Sequence, residues 1–374
     1  MKIAIDIREI LRSKTTGIGR YLSNFLQYLS NTKRRNDYLL YGNQNTDYDA
    51  TPNTLKTKTI QEHFTLTWDN LSLPINLRRD NIDLLFSPFD KAPLFSNIPY
   101  IITIHDLLFI KHTAYPSLKT YFYNEFYKLY HRQIAKKATK IITVSNYSKK
   151  DIREIYNIAE QNIEVIPNSI SERFHPIARS KVNSFLDNKN IDDNYILYVG
   201  NFKPHKNVST LVRAYADLPS IIRENNKLIL CGHKSNSLSS IKRIIDSLNL
   251  KGEIKLLHKI SDEQLPKLYS GASLFVFPSL YEGFGLPPLE AMACGTPVIC
   301  SNRTSLPEVV GESALLFNPQ KTDVLTNKIS TVLTKSNLHQ ELKNKGLERT
   351  KKFSPKKVLP KLIQTIEEAA RKKC

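Results

Sequence analysis

The sequence predicts an α/β protein made of two doubly wound units, each a parallel sheet with helices on both faces. Three observations lead there. Short apolar runs alternate with helix-period stretches along nearly the whole chain, which is how strands buried on both sides and their covering helices read. The alternation stops near Ile166-Pro167-Asn168-Ser169-Ile170-Ser171 and resumes after a polar stretch, rich in Asn and Asp, that ends about Asn194. A chain of 374 residues, 41% of them hydrophobic, is also longer than one core usually organises, so each unit should carry its own.

In the first half, apolar runs predict strands over Lys2–Ile7, Tyr38–Tyr41, Ile82–Phe86, Tyr100–Ile104 and Lys140–Val144. The spacing of Ile18, Tyr21, Leu22, Phe25, Leu26 and Leu29 predicts an amphipathic helix over Gly17–Ser30, and a second is expected over Leu118–Lys137, both packed on the sheet. After the break, strands are expected at Tyr195–Val199, Lys227–Cys231, Glu253–Leu257, Leu274–Phe277, Pro297–Cys300 and Ala314–Phe317, with helices between them. Two such units should face each other across a cleft, with ligands at the carboxyl ends of the strands.

The chain opens directly on a strand, without a charged leader or a cleavage site, so no export signal is expected. The most apolar early window, Tyr100–Ile110, is broken by His105 and Asp106 and falls short of the ~20 residues that span a bilayer. Cys231, Cys294, Cys300 and Cys374 lack metal-ligand spacing and suit reduced thiols in a cytoplasm. The formal net charge is +19, and it is concentrated: nine Lys/Arg stand against three Asp/Glu over Lys119–Tyr156, and eleven against three over Lys343–Cys374. Such a field attracts anionic bilayers, nucleic acids or phosphorylated substrates, or it is a solvated face; charge alone does not say which.

The segment Phe277-Pro278-Ser279-Leu280-Tyr281-Glu282-Gly283-Phe284-Gly285-Leu286-Pro287-Pro288-Leu289-Glu290 carries the most chemistry. It follows an apolar strand and opens a helix. Gly283 and Gly285 should let the backbone turn tightly, and Pro287 and Pro288 suit a first helical turn, where a missing N–H costs little. Bare amides at a helix start attract a diphosphate. Glu282 precedes the loop and Glu290 is expected in the first turn, so the two should grip different parts of one ligand, each accepting from vicinal hydroxyls. A structural alternative is that the two acids only complement the helix dipole.

From Phe277 to Val298 the chain resembles the signature of family 4 of the retaining glycosyltransferases, two glutamates separated by seven residues with Gly-Phe-Gly-Leu-Pro between them. The resemblance implies that Glu282 contacts the donor hexose, that Glu290 contacts the ribose, and that amides near Gly283, Phe284, Gly285 and Leu286 hold the sugar and phosphates. Val199-Gly200-Asn201-Phe202-Lys203-Pro204-His205-Lys206 resembles the family's strand-end loop, whose lysine, Lys206 here, binds the donor diphosphate; Asn201 and His205 stand where the family often has arginine. Ile102-Thr103-Ile104-His105-Asp106 resembles the strand-end histidine that reaches the hexose, so His105 joins Glu282 and Lys206 as an implied catalytic group. Thr16-Gly17-Ile18-Gly19-Arg20 resembles the glycine loop lining the cleft, with Gly17 at the donor. Ser169 and Ser171 depart from the family's usual Gly and Asp.

The resemblance also implies the GT-B architecture. An acceptor-binding domain would span 1–168, completed by a helix over 354–374 that crosses back to it, and a nucleotide-sugar-binding domain would span 169–353. The activity implied is transfer of a hexose with retention, without metal or other cofactor, to a saccharide or a polyprenyl-diphosphate-linked acceptor, in surface polysaccharide synthesis of the O-antigen kind; GDP-mannose is the leading donor. No Asp-x-Asp pair stands directly at the end of a predicted strand, as a phosphate-bound divalent ion would need. Catalysis would then rest on positioning and charge stabilisation, with domain closure excluding water. The helix over Lys119–Lys137 interleaves Tyr121, Phe122, Tyr123, Phe126, Tyr127 and Tyr130 with Lys128, Arg132, Lys136 and Lys137. It is expected to meet an anionic membrane surface, to turn its aromatics to the core, or both on different faces. A nucleotide-sugar isomerase on the same scaffold and a non-enzymatic basic protein binding nucleic acid or membrane are the competing readings, and neither accounts for the ordered motifs.

Overall fold

The computed structural model of the chain describes residues 1–12, 16–33, 35–111, 118–232, 237–258 and 260–371; the side chains of 118–121 and 123 also lie outside the description. Lys119, Tyr121, Tyr123, Lys372, Lys373 and Cys374, used above, therefore fall outside it in whole or in side chain. The chain divides into two compact units, Met1–Ser169 with Pro355–Cys374, and Ile170–Ser354.

Among the described residues of the first unit, seven strands form one parallel sheet: β1 (Lys2–Asp6), β2 (Asp37–Gly42), β3 (Lys56–Thr59), β4 (Leu84–Ser87), β5 (Tyr100–Ile104), β6 (Lys140–Thr143) and β7 (Ile163–Val165), in the order β3-β2-β1-β4-β5-β6-β7. Alternate residues leave a strand on opposite faces. Ile3, Ile5, Leu84 and Phe86 accordingly join one core cluster with helices Gly17–Ser30 and Pro355–Arg371, while Ala4 and Leu85 join another with Leu73, Leu77, Ile134 and Ile152. Both faces of the sheet's central strands are thus covered by apolar side chains. β3 and β7 were not anticipated: Lys-Thr-Lys-Thr has no apolar signal, and both strands sit at the sheet's edges.

In the second unit, β8 (Tyr195–Val199), β9 (Lys227–Cys231), β10 (Ile254–Leu257), β11 (Leu274–Phe277), β12 (Val298–Ser301) and β13 (Leu315–Phe317) run parallel in the order β10-β9-β8-β11-β12-β13. The chain moves from β8 outward through β9 to β10, then returns past β8 to β11. The order reverses there, so the space beyond the carboxyl ends of β8 and β11 is the switch point at which such sheets bind ligands.

The helix Gly17–Ser30 has its expected bounds and is capped by Thr16, whose Oγ1 accepts from Gly19 N at 2.9 Å. The helix Leu118–Lys137 also has its expected bounds and packs on the sheet through Ile134 and Ala135, with Tyr130 against the same cluster, while Phe122, Phe126 and Leu129 are exposed. No helix among the described residues is long and apolar enough to cross a membrane.

Candidate active site

Three loops of the second unit converge at its switch point. After β8 the chain makes a 3₁₀ turn over Pro204–Lys206, and Asn207, at φ +53°, reverses it into the helix Val208–Ala216. Asn207 Nδ2 donates to the carbonyls of Pro278 (3.3 Å) and Pro319 (3.1 Å), while the His205 carbonyl accepts from Leu280 N (2.7 Å) and Ser279 Oγ (3.1 Å). The β8 loop is thus sewn to the β11 loop through backbone carbonyls and the Asn207 and Ser279 side chains, which leaves the Lys206 side chain to project from a fixed base.

Lys206 Nζ lies 2.6 Å from Glu282 Oε1, with the two side chains 14% and 13% exposed, and 5.5 Å from the Phe277 ring centre. Taking two charges this far out of water costs free energy that only good geometry repays. What it produces here is a cation and an acceptor side by side, at the rim of a parallel sheet. The Glu282 backbone is pinned as firmly: its N–H donates to Thr304 Oγ1 (3.0 Å), and Ser305 Oγ donates to the carbonyls of Glu282 (3.0 Å) and Phe284 (2.7 Å). Thr304 and Ser305, in the loop after β12, escaped sequence reasoning; the polar tract Ser301-Asn302-Arg303-Thr304-Ser305 behind an apolar strand was the available signal.

Beyond Glu282 the helix Leu286–Ala293 begins. Gly285 stands before it at φ +122°, ψ +54°, a conformation L side chains avoid, and an added Cβ would sit 2.7 Å from Leu306 Cδ2. Of the two loop glycines, Gly285 takes a positive φ and Gly283 does not. The amides of Phe284, Gly285 and Leu286 have no acceptor among the described residues, and Pro287 and Pro288 occupy the first turn without donors to waste. The Phe284 side chain is buried, edge-on to Phe353 at 5.7 Å, so only its backbone is available to a ligand.

Glu290 is the fifth residue of this helix, just past the first turn in which it was expected, because the helix starts at Leu286. It is 2% exposed and its Oε2 accepts from Tyr269 Oη at 2.9 Å. The structure therefore brings Lys206 and Glu282 together and holds Glu290 behind them, under Tyr269. Asn201 points inward to its own loop, accepting from Lys203 N through Oδ1 (3.1 Å) and from Tyr198 Oη through its carbonyl (2.6 Å).

In the first unit, His105 follows β5. Its ring meets Tyr21 edge-on at 5.0 Å, and its Nε2 lies 2.9 Å from the Pro88 carbonyl, which can only accept. The Nε2 proton is thereby fixed and Nδ1 becomes the acceptor, while burial lowers the ring's pKa and favours the neutral form. In the Thr16–Arg20 loop the close approach is at Gly19, where a Cβ would come 2.8 Å from the Glu9 carbonyl; Gly17 has open space around it. A charged cluster missed by sequence reasoning follows β1: Arg8 Nη2 reaches Asp6 (2.7 Å) and Asp69 (2.6 Å), Nη1 reaches Glu62 (3.3 Å), and its guanidinium lies 3.6 Å from the Trp68 ring centre. Among the described residues no three His, Cys, Asp or Glu gather as a metal ion would require.

Two family models match consecutive parts of the chain, Glycosyltransferase Family 4 over residues 15–174 and Glycosyl transferases group 1 over residues 181–349. The O-antigen chain mannosyltransferase B of Escherichia coli is 36% identical over 218 residues, 58% of this chain and 57% of that protein. The O-antigen chain mannosyltransferase RfbU of Salmonella typhimurium is 32% identical over 67% of this chain and 64% of its own length. The chain thus spans less than two thirds of either mannosyltransferase. An uncharacterized glycosyltransferase of Methanocaldococcus jannaschii is 31% identical over 73% of this chain and 69% of its own. Among solved structures, Anabaena HepE in complex with UDP-glucose superposes with a TM-score of 0.81 at 17% identity, covering 98% of this chain and all of that one. WaaG, a glycosyltransferase involved in lipopolysaccharide biosynthesis, gives 0.73 at 16% over 97% and 99%. These last two likenesses are of fold, and the fold is GT-B. On the two models and the Methanocaldococcus relative, the chain belongs to the glycosyltransferases of family 4, with a group 1 glycosyl transferase domain in its second half.

Proposed function

We propose that this glycosyltransferase moves a hexose, mannose foremost, from a nucleotide diphosphate sugar to a saccharide or lipid-linked saccharide acceptor, with retention and without a metal ion, in surface polysaccharide synthesis. The observation that carries the reading is the Lys206–Glu282 pair at 2.6 Å beside a helix start with bare amides. A nucleotide sugar has the complementary pair of features, anionic phosphates next to a ring of hydroxyl donors. On binding, Lys206 turns from Glu282 to the phosphate, and Glu282 is freed to accept from the hexose. As the glycosidic bond breaks, charge grows on the departing diphosphate, and Lys206 with the amides of Phe284, Gly285 and Leu286 stabilises it. The acceptor hydroxyl then attacks from the leaving group's own face. Glu290 is assigned the ribose, and His105, neutral with Nδ1 as acceptor, a hydroxyl of the hexose.

Mannose is favoured because the two Escherichia and Salmonella relatives are mannosyltransferases. The test is a panel of nucleotide sugars, GDP-mannose included, screened for thermal stabilisation and then for transfer in the presence and absence of EDTA. A donor at 100 times its dissociation constant stabilises by about 2.7 kcal/mol. GDP-mannose should stabilise the chain and transfer with EDTA present; no stabilisation by any nucleotide sugar would sink the reading, and loss of transfer in EDTA would sink its metal-free part.

A further inference from the structure

The ten large apolar side chains most exposed in the described structure are not scattered. Nine lie between Phe64 and Leu129 in the first unit; the tenth, Ile221, is in the second. Two helices carry most of them. Residues 65–79 are helical through a π turn at Trp68–Ser72, with Leu71 and Ile75 one turn apart on an outward stripe and Leu66 near its start. On the helix Leu118–Lys137, Phe122, Phe126 and Leu129 fall at i, i+4 and i+7 and are 67%, 53% and 55% exposed.

Hydrogen bonds join the two stripes. Phe126 stacks on Tyr130 at 6.1 Å, Tyr130 Oη accepts from Asn70 Nδ2 (2.9 Å), and Asn70 also donates to the Leu66 carbonyl (3.0 Å) and accepts from Leu94 N (3.0 Å), which leads to exposed Phe95. The result is one apolar face whose side chains stay exposed among the described residues of its own unit. Its rim is basic. Arg79 continues the Leu71–Ile75 stripe by one turn beside Arg78, Lys137 Nζ lies 2.8 Å from the Leu94 carbonyl, and Lys136 is exposed next to it. Glu125, next to Phe126 in the sequence, is answered by Lys128 at 3.8 Å.

We propose that this face docks on an anionic bilayer, with the phenylalanine and leucine side chains entering the interface and the arginine and lysine rim meeting lipid phosphates. Amphipathic helices with aromatic and leucine residues on one side and cations at the border bind such surfaces in this way. A second copy of a chain carrying +19 would set like charges against each other. Single-stranded nucleic acid would find aromatic platforms, but Leu66, Leu71, Ile75 and Leu129 give a base nothing to stack on. The inference goes beyond the proposed reaction and does not depend on it, since docking needs no donor.

The experiment is co-flotation of the full chain, without nucleotide sugar, with vesicles of phosphatidylcholine alone or mixed with phosphatidylglycerol. Binding is expected to the mixed vesicles, to weaken with added NaCl, and to fall about tenfold or more in Phe122→Ser/Phe126→Ser and in Leu71→Ser/Ile75→Ser. Both pairs replace exposed residues, and unchanged thermal unfolding checks that they fold. Ile221→Ser should bind as the parent does. No binding to the mixed vesicles, equal binding by the paired variants, or a dimer or oligonucleotide complex that the same variants abolish while vesicle binding persists would overturn the proposal.

Discussion

Thr304 offers a test in which stability and activity part company. It is a β-branched residue at φ +53°, a backbone conformation that costs such a side chain about 1–2 kcal/mol, and its Oγ1 accepts the Glu282 N–H at 3.0 Å. Thr304→Gly removes the strain and the acceptor together. Relief of strain returns about 1–2 kcal/mol, while orphaning a partly buried N–H costs about 1–3. The two largely cancel, so urea unfolding should show a change between a gain of about 1 and a loss of about 2 kcal/mol. Activity has no such compensation. Glu282 loses one of its backbone anchors, and a carboxylate that strays by an ångström costs roughly ten- to a hundredfold in turnover. Thr304→Ser keeps the acceptor and should keep the rate. Initial rates of hexose transfer, set beside urea midpoints for the three proteins, decide the matter. Full activity in Thr304→Gly, or an equal loss in Thr304→Ser, would refute the role given to this hydroxyl.

Two other predictions concern the frames that hold the sites. Asp69 is buried against Arg8 with Oδ2 lacking a partner, and burial raises its pKa from the ordinary 3.8 to about 6, Arg8 opposing. The folded chain therefore holds a proton that the unfolded chain has released between about pH 4 and 6, so this group adds stability as pH falls through 6 and loses it as pH rises. Relative to Asp69→Asn, the parent should gain roughly 1–2 kcal/mol between pH 7.5 and 5 by urea unfolding; a parallel pH profile for the two proteins would contradict the raised pKa. Gly285→Ala forces a Cβ into φ +122° and against Leu306, and should lower stability by about 2–3 kcal/mol with a matching loss of nucleotide-sugar affinity; calorimetry showing an unchanged Tm would mean the turn before Leu286 tolerates a side chain.

The two sheets were legible because buried parallel strands announce themselves: Tyr100–Ile104, Tyr195–Val199, Lys227–Cys231 and Leu274–Phe277 have the bounds their apolar runs suggest. β3 was invisible because an edge strand of Lys and Thr has neighbours on one side only and little to bury. The closeness of Lys206 and Glu282 follows from β8 and β11 being adjacent, a fact about sheet order that local periodicity does not contain. The same holds for Thr304, which matters only because β12 lies beside β11. For the helix Leu118–Lys137 periodicity gave the bounds and left open which side chains face the core, because it tells that a helix has an apolar stripe and not what covers it.

Most directly at issue is whether Lys206 and Glu282 grasp the two unlike halves of one donor. Initial rates of hexose transfer from each member of a nucleotide-sugar panel, measured for Lys206→Ala, Glu282→Ala and the double variant with folding verified, test it. The account predicts that each single change lowers the rate on the preferred donor by roughly a hundredfold or more and that the double change costs little beyond either, as for groups acting as a unit. Parental rates in either single variant would contradict it.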